Sequence, residues 1–380
     1  MCLWRPVIHQ RNGSANLFTM KHNISIIIFL LLVISAQIKC VAQQVNEIKL
    51  KDYRPKSIYK IPISNIPKAK YPVIDMHSHA YANTEAELAQ WVKTMDAVGV
   101  EKTIVMTQFT GAKFDSVYAR YAQYGNRFEV WCGFDYTGYP KPGWIDHAVK
   151  ELERCFKVGA KGVGELGDKG MGELNSYPVP GYGLHFDDPQ MKPLFEKCAA
   201  LKLPVNIHVA DPYWMYLPMD STNDGLMNAY TWRIDLTKKG ILNHGQLIKT
   251  LENVVRDNPK TTIIACHLAN CEYDLEMLGS MLQKFPNLYA DFAARFGETA
   301  PIPRYMNAFF EKYQDRLLYG TDMGVDPSMY ATTFRILESN DEHFYETELF
   351  GYHWALHGFG LKDSVLKKIY SGNAKKIIAR

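Results

Sequence analysis

The stretch "VIDMHSHA" at residues 73–80 sets two histidines one residue apart at the end of an apolar run. On a β-strand alternate side chains share a face, so His77 and His79 stand roughly 6.6 Å apart along the chain, at about 3.3 Å per residue. Two imidazoles at that spacing can converge on one cation. His-x-His also arises by chance on ordinary strands, so a metal site needs further ligands. Glu165 in "GVGELG", His208 in "VNIHVA", His267 in "IIACHLA" and Asp322 in "LLYGTDMG" all follow apolar runs of the same kind. Singly, each reads as well as a hydrogen-bonded structural residue. Jointly, neutral imidazoles and carboxylates suit a divalent ion such as zinc, iron or manganese. Water on such an ion loses a proton near neutral pH and becomes a nucleophile.

These residues need a scaffold that brings strand ends together. Eight apolar runs have the length of strands: Val73–His79, Lys102–Gln108, Phe128–Asp135, Ala160–Leu166, Leu203–His208, Thr261–His267, Asn287–Ala293 and Arg316–Asp322. Helical patterns separate many of them. Thr84 with Glu87 three residues on forms a capping box, and Asp188 before Pro189 marks another helix start. Further helices are predicted near Trp144–Val158, His244–Asp257, Tyr273–Phe285 and Ile302–Tyr313. Strands alternating with helices predict a parallel sheet, and eight of them predict an α/β (β/α)8 barrel, the TIM-barrel architecture. In such a barrel the C-terminal strand ends surround one mouth. The rival is an open doubly wound sheet, but the Gly-x-Gly-x-x-Gly turn expected after its first strand is absent.

One connection breaks the rhythm. Residues 211–243 form a long segment containing Tyr213, Trp214, Tyr216, Tyr230, Trp232 and Arg233. A loop of this length after strand five is expected over the mouth as a lid or binding wall, with packing or dimerisation as the plainer alternative. Tyr213 and Trp214 are candidates for an apolar substrate wall. Arg295, after strand seven, is a candidate for a two-pronged contact with a substrate carboxylate, or for an ion pair with Asp291 or another acid. Arg233 is a second, weaker candidate for that contact.

Composition narrows the function classes. The 380 residues are 47% apolar with a formal charge of +3. Arg5, Arg11, Lys21 and Lys39 fall in the first 42 residues, which have no acid, so the rest is close to neutral. Nothing there calls for a nucleic-acid partner. "GELGDKGMG" lacks the Lys-Ser/Thr of a phosphate-binding loop. From Met20, a basic residue, an apolar run over Ile24–Ile34 and a small-residue "CVA" predict a signal peptide cleaved after Ala42, hence export to the periplasm or beyond. An uncleaved membrane anchor is the alternative. Residues 1–42 are therefore read as an extension plus leader, 43–70 as an approach segment and 71–380 as the barrel. The cysteines left after the leader (Cys132, Cys155, Cys198, Cys266 and Cys271) are odd in number and read as buried hydrophobes.

Asp-x-His-x-His at the end of strand one, His at the end of strand five, "IIACHLA" and "LLYGTDMG" together resemble the amidohydrolase superfamily. More narrowly they are similar to its amidohydrolase-related branch, which includes metal-dependent hydrolases and decarboxylases. The resemblance runs from about residue 72 to "IYSGNAKKI" near the C-terminus. It implies a metal held by His77, His79 and His208, zinc first and manganese or iron otherwise. It makes Asp322 both ligand and proton shuttle, and it sets His267 beside the metal to polarise substrate or orient water. Two-metal members carry a modified lysine after strand four. Glu165 stands in that region here, as a bridging ligand, a single ligand or an acid/base group. The implied reaction is hydrolysis of a small carboxylated amide, ester or lactone. Decarboxylation of an aromatic or enoic acid is the alternative, and an inactive barrel used for binding is a third. Barrels of this branch often pair, so a homodimer is an expected option.

Overall fold

The computed structural model describes residues 45–170 and 172–378. The leader expected over residues 1–42 lies outside the described residues. The chain divides into two units, one ending at Tyr53 and one from Arg54 to Arg380. The described part of the first holds two short 3-10 turns, Val45–Glu47 and Leu50–Asp52. Among the described residues no helix is long and apolar enough to cross a membrane.

Eight strands build the barrel of the larger unit, β1 (Val73–His79), β2 (Val100–Met106), β3 (Phe128–Trp131), β4 (Val163–Asp168), β5 (Val205–Val209), β6 (Ile263–Ala265), β7 (Leu288–Asp291) and β8 (Leu317–Leu318), and two short strands, Glu173–Leu174 and Gly181–Tyr182, extend β4 in antiparallel pairing. Sequential neighbours pair in parallel from β1 to β3 and from β4 to β8. A parallel bridge between Cys132 and Val163 joins the two runs. Closure comes from β8, where the Met76 amide donates to the Tyr319 carbonyl at 2.9 Å and the Asp322 amide to the His77 carbonyl at 2.9 Å. The eight strands therefore form a closed (β/α)8 barrel. Ile74, Met76, Ile104, Met106, Trp131, Ile264 and Leu318 make one apolar cluster drawn from five strands, which Ala374 and Ile377 of the C-terminal helix also join.

The longer helices follow in order: α1 (Glu85–Val98), α2 (Gly111–Ala122), α3 (Trp144–Val158), α4 (Lys192–Leu201), α5 (His244–Asp257), α6 (Leu275–Lys284), α7 (Pro303–Tyr313) and α8 (Pro327–Glu338). The Thr84–Glu87 capping box is formed at the start of α1, and Gly99 closes it in the left-handed region at φ 86°. Asp188 caps a 3-10 turn over Pro189–Met191 that leads into α4. The five cysteines are all buried and free. Within the approach segment, Ser64 donates from its amide and hydroxyl to Asp341, and the Lys70 amide to Glu338, which ties residues 64–70 to the C-terminal part of the barrel.

Several strands are shorter than the apolar runs imply. β8 is two residues long where the pattern predicts 316–322. Beyond Leu318 the chain bonds to β1 and turns, with Asp322 at φ 53°. More consequential are two register shifts. The β1–β2 register slips between Asp75 and Ser78, and the β4–β5 register slips between Val163 and Leu166. An extra residue in one strand re-aims side chains locally. His77 lies inside the first shift and Glu165 inside the second.

Candidate metal centre

Each histidine at the mouth is fixed by one ring nitrogen. His77 Nδ1 lies 3.0 Å from Asp291 Oδ2, His79 Nδ1 lies 3.0 Å from the Met106 carbonyl, and His267 Nδ1 lies 2.8 Å from the Ala293 carbonyl. His208 is turned the other way, with Nε2 2.9 Å from the Ala210 carbonyl. These oxygens only accept, so each of those nitrogens carries the proton and the opposite nitrogen offers a lone pair. The four lone pairs face two carboxylates. Glu165 Oε1 is 2.5 Å from His208 Nδ1 and 3.2 Å from His267 Nε2. His79 Nε2 is 3.0 Å from Asp322 Oδ1 and 3.5 Å from Glu165 Oε2. His77 Nε2 is 3.9 Å from Asp322 and 4.0 Å from Glu165, is fully buried, and has no hydrogen-bond partner.

Lone pairs facing carboxylates repel unless protons or a cation lie between them. Protonation is one solution. Burial opposes charge on His77, yet Asp291, Asp322 and Glu165 together push its pKa up to about 10. His208 goes up to about 8 against the same burial, chiefly through Glu165. Burial likewise works against ionised Glu165 and Asp322, but the neighbouring histidines hold both below the usual carboxylate range. His267 moves the opposite way, down to about 4, through burial and the repulsion of His77 and His208. A divalent cation is the other solution. Ligand atoms about 2.0–2.1 Å from a tetrahedral ion lie roughly 3.4 Å apart, and the mouth distances bracket that value. His77 with His79 and Asp322, and Glu165 with His208 and His267, are two sets whose donor atoms lie within 4.8 Å of one another. The residues fit a divalent ion.

Local folding explains the convergence. Asp291, at the end of β7, accepts from His77 Nδ1 and Asn206 Nδ2 through one oxygen, and from the His267 and Ala293 amides through the other. His267 to Asn270 all have positive φ, between 53° and 56°, so the chain leaving β6 makes a left-handed turn that carries His267 into the mouth. Asp75 accepts from the Thr321 amide and hydroxyl, which fixes β8 against β1 where Asp322 emerges.

A cavity of about 310 Å³ opens at this mouth, lined in part by His208, His267 and Asp322. The segment after β5 does form one wall, through Met215, Asn228 and Trp232. Tyr213 and Trp214 are not among the lining residues. Tyr213 stacks on Tyr273 at 4.0 Å, and Trp214 packs on Trp354 and Tyr352. Arg233 is exposed and folds back onto Tyr230, so it does not reach the cavity. Arg295 lines the cavity, but its guanidinium is bound to Asn270, to the Ala294 carbonyl and to Glu298, not to Asp291. Lys169, Glu298 and Tyr352 are polar lining residues that the sequence did not mark. Lys169 follows β4 and pairs with Asp211 at 2.9 Å, while Glu298 and Tyr352 bond to each other. The C-terminal region thus covers the mouth through Leu349, Phe350 and Tyr352, while His343, His353 and His357 stay off the cavity.

Comparison with known proteins adds the family. The sequence matches the family described as "Amidohydrolase" over residues 62–380. The chain belongs to the amidohydrolase family. No curated protein matches the sequence. Among solved structures, a 2,6-dihydroxybenzoate decarboxylase in complex with 2,6-dihydroxybenzoate is similar at 17% identity and TM-score 0.50, covering 82% of this chain and 100% of its own. A dihydroxybenzoic acid decarboxylase from Polaromonas, with bound manganese and the inhibitor 2-nitroresorcinol, is similar at 18% identity and TM-score 0.51, covering 81% and 97%. At these identities the likeness bears on the fold, and the amidohydrolase-family barrel agrees with the closure described above.

Proposed function

We propose that this family member is a divalent-metal-dependent hydrolase of a small carboxylated amide, ester or lactone. The observation that carries the reading is the convergence of four imidazole lone pairs and two carboxylates on a mouth that opens into a cavity. His77, His79 and His208 would hold the ion with Asp322 and Glu165, zinc first and manganese or iron as alternatives. A bound ion would polarise the scissile carbonyl and acidify water.

The chain's own groups divide the remaining work. Asp322 is ionised at neutral pH and its side chain is 23% exposed, against 9% for Glu165, so it can take the proton of the attacking water and return it to the leaving group. His267 donates its ring proton to the Ala293 carbonyl and is neutral, so it has no proton for an oxyanion. Its Nε2 is an acceptor suited to orienting water, which favours the water-orienting role over polarising substrate. Arg295 and Lys169 both line this cavity, but each is already engaged, Arg295 by Asn270 and Glu298 and Lys169 by Asp211.

Decarboxylation of an aromatic acid is the second reading. It is supported by the aromatic wall of Trp232, Phe350 and Tyr352 and by the two decarboxylases that share the fold. It needs a proton delivered to carbon, whereas Asp322 is poised as a base. Assaying carbon dioxide release in parallel with ester, lactone and amide cleavage separates the readings. Hydrolysis without carbon dioxide release is expected, and release from an aromatic carboxylate with no hydrolysis overturns the first choice. Asp322→Asn should lower kcat by about 10²-fold or more in either case; near-full activity would show that the proton passes elsewhere.

A further inference from the structure

A second cavity, of about 360 Å³, is lined in part by His79. His79 and Tyr81 contribute to its lining, while Asp322 contributes to the first cavity. The His79 Nε2 to Asp322 Oδ1 contact at 3.0 Å, with the Tyr81 hydroxyl donating to the same oxygen at 3.3 Å, joins lining residues of one cavity to a lining residue of the other. Both cavities therefore border the candidate metal centre.

The two cavities differ in charge. In the first, Lys169 and Arg295 are matched by Asp211, Glu298 and Asp322. In the second, the charged lining residues are Lys113 and Arg120, and no carboxylate lines it among the described residues. Helix periodicity puts them there. Phe114, Val117 and Tyr121 of α2 are its buried face, and Lys113, Ser116 and Arg120 form the adjacent stripe at the same i, i+3, i+7 spacing. Lys113 lies over the Phe109 ring at 5.4 Å, and no ion pair holds it among the described residues. Arg120 gives one N–H to the Ala82 carbonyl at 3.3 Å, which leaves further guanidinium donors. The acid that senses Arg120, Glu87, is engaged in the cap of α1 and does not line the cavity. Two cations in a concave site without a counter-charge form a focused positive field beside the mouth.

We propose that this cavity is an anion subsite, and that the substrate carries a second acidic group, carboxylate or phosphate, bound by Lys113 and Arg120 across His79 from the long loop. The inference rests on reading the His79–Asp322 mouth as the reaction centre, and it narrows the substrate class to doubly acidic molecules. The test is calorimetric titration of the zinc-reconstituted full chain with straight-chain diacids from malonate to adipate and with the matching monoacids. At least one diacid should bind about tenfold or more tightly than its monoacid, since a charge-assisted bond contributes about 1.5–3 kcal/mol. The Lys113→Met/Arg120→Met double variant should lose that preference and keep its metal content and monoacid affinity. Lys113→Met alone, at an exposed side chain, guards against misfolding and should lose part of the preference.

Equal binding of diacids and monoacids by the wild type, or a preference that survives in the double variant, overturns the proposal. A separate titration of metal-free protein with inorganic phosphate does not depend on the metal. Binding by wild type that is lost in the double variant upholds the subsite even if the reaction reading fails, and indicates a phosphate arm if it exceeds the diacid effect.

Discussion

Asp291 touches no substrate in this account, yet it orients more of the site than any ligand does. Its four hydrogen bonds tie His77, Asn206, His267 and Ala293 together, and all four partners are donors. Asp291→Asn sets an amide NH2 against two of those donors, releasing His77 Nδ1 or the turn at His267. Metal affinity should fall roughly 10- to 100-fold, as expected for a carboxylate that orients a metal-binding histidine, with chelator competition as the measurement. Glu272 is a different case. It is buried, its nearest ion-pair partner is Arg295 at 3.9 Å, and Glu298 shares that guanidinium. Burial pushes its pKa from 4.5 up to about 7. A carboxylate whose folded pKa is raised contributes least once ionised, so its stabilising effect is lost as pH rises from about 4.5 through about 7. Glu272→Gln removes that loss. The variant should match wild type in thermal melting near pH 4 and exceed it at pH 8, by up to about 3 kcal/mol; a lower melting point at pH 8 would contradict this.

At the scale of elements, the barrel closes where β8 meets β1, and there is little room at the seam. A Cβ on Gly320 would lie 2.6 Å from His77 Cβ and 3.2 Å from the His77 amide nitrogen. Gly320→Ala should therefore destabilise by about 1–3 kcal/mol, the usual cost of overpacking, and also weaken metal binding because His77 must move. Denaturant unfolding with metal titration would check both. Elements differed in how far the sequence disclosed them. The eight strand positions were legible because parallel strands covered on both faces are short continuous apolar runs. The candidate metal-site residues are legible because they follow those runs. The shifts under His77 and Glu165 were not, since an added residue in a strand leaves the hydrophobic pattern unchanged. α8 carries its signal in Asp326–Pro327, the same pairing that marks Asp188–Pro189. α2 begins at Thr110 with no side-chain cap bond, and its cationic stripe follows only once its register is known. Tyr213 and Trp214 were good aromatic candidates by position, but Met215 and Trp232 face the cavity, because Tyr213 to Tyr216 form a 3-10 turn that separates neighbours in direction.

For the whole molecule, a closed (β/α)8 barrel gathers residues 77, 79, 165, 208, 267 and 322 from five strands or their ends into a proposed divalent-ion site beside two cavities, one with its cations matched by carboxylates and one with unmatched cations. The arrangement pairs lone pairs with carboxylates in a way that either protons or an ion must resolve, and only the ion gives hydrolysis or decarboxylation a Lewis acid. Measuring bound metal decides between them. The purified chain is stripped with chelator, reconstituted separately with zinc, manganese and iron, desalted and analysed by elemental emission. The account predicts about one tightly held ion per chain for at least one metal, lost when His77 and His79 are both replaced by Ala in a variant that still melts cooperatively. A wild-type chain that retains none of the three metals would contradict it.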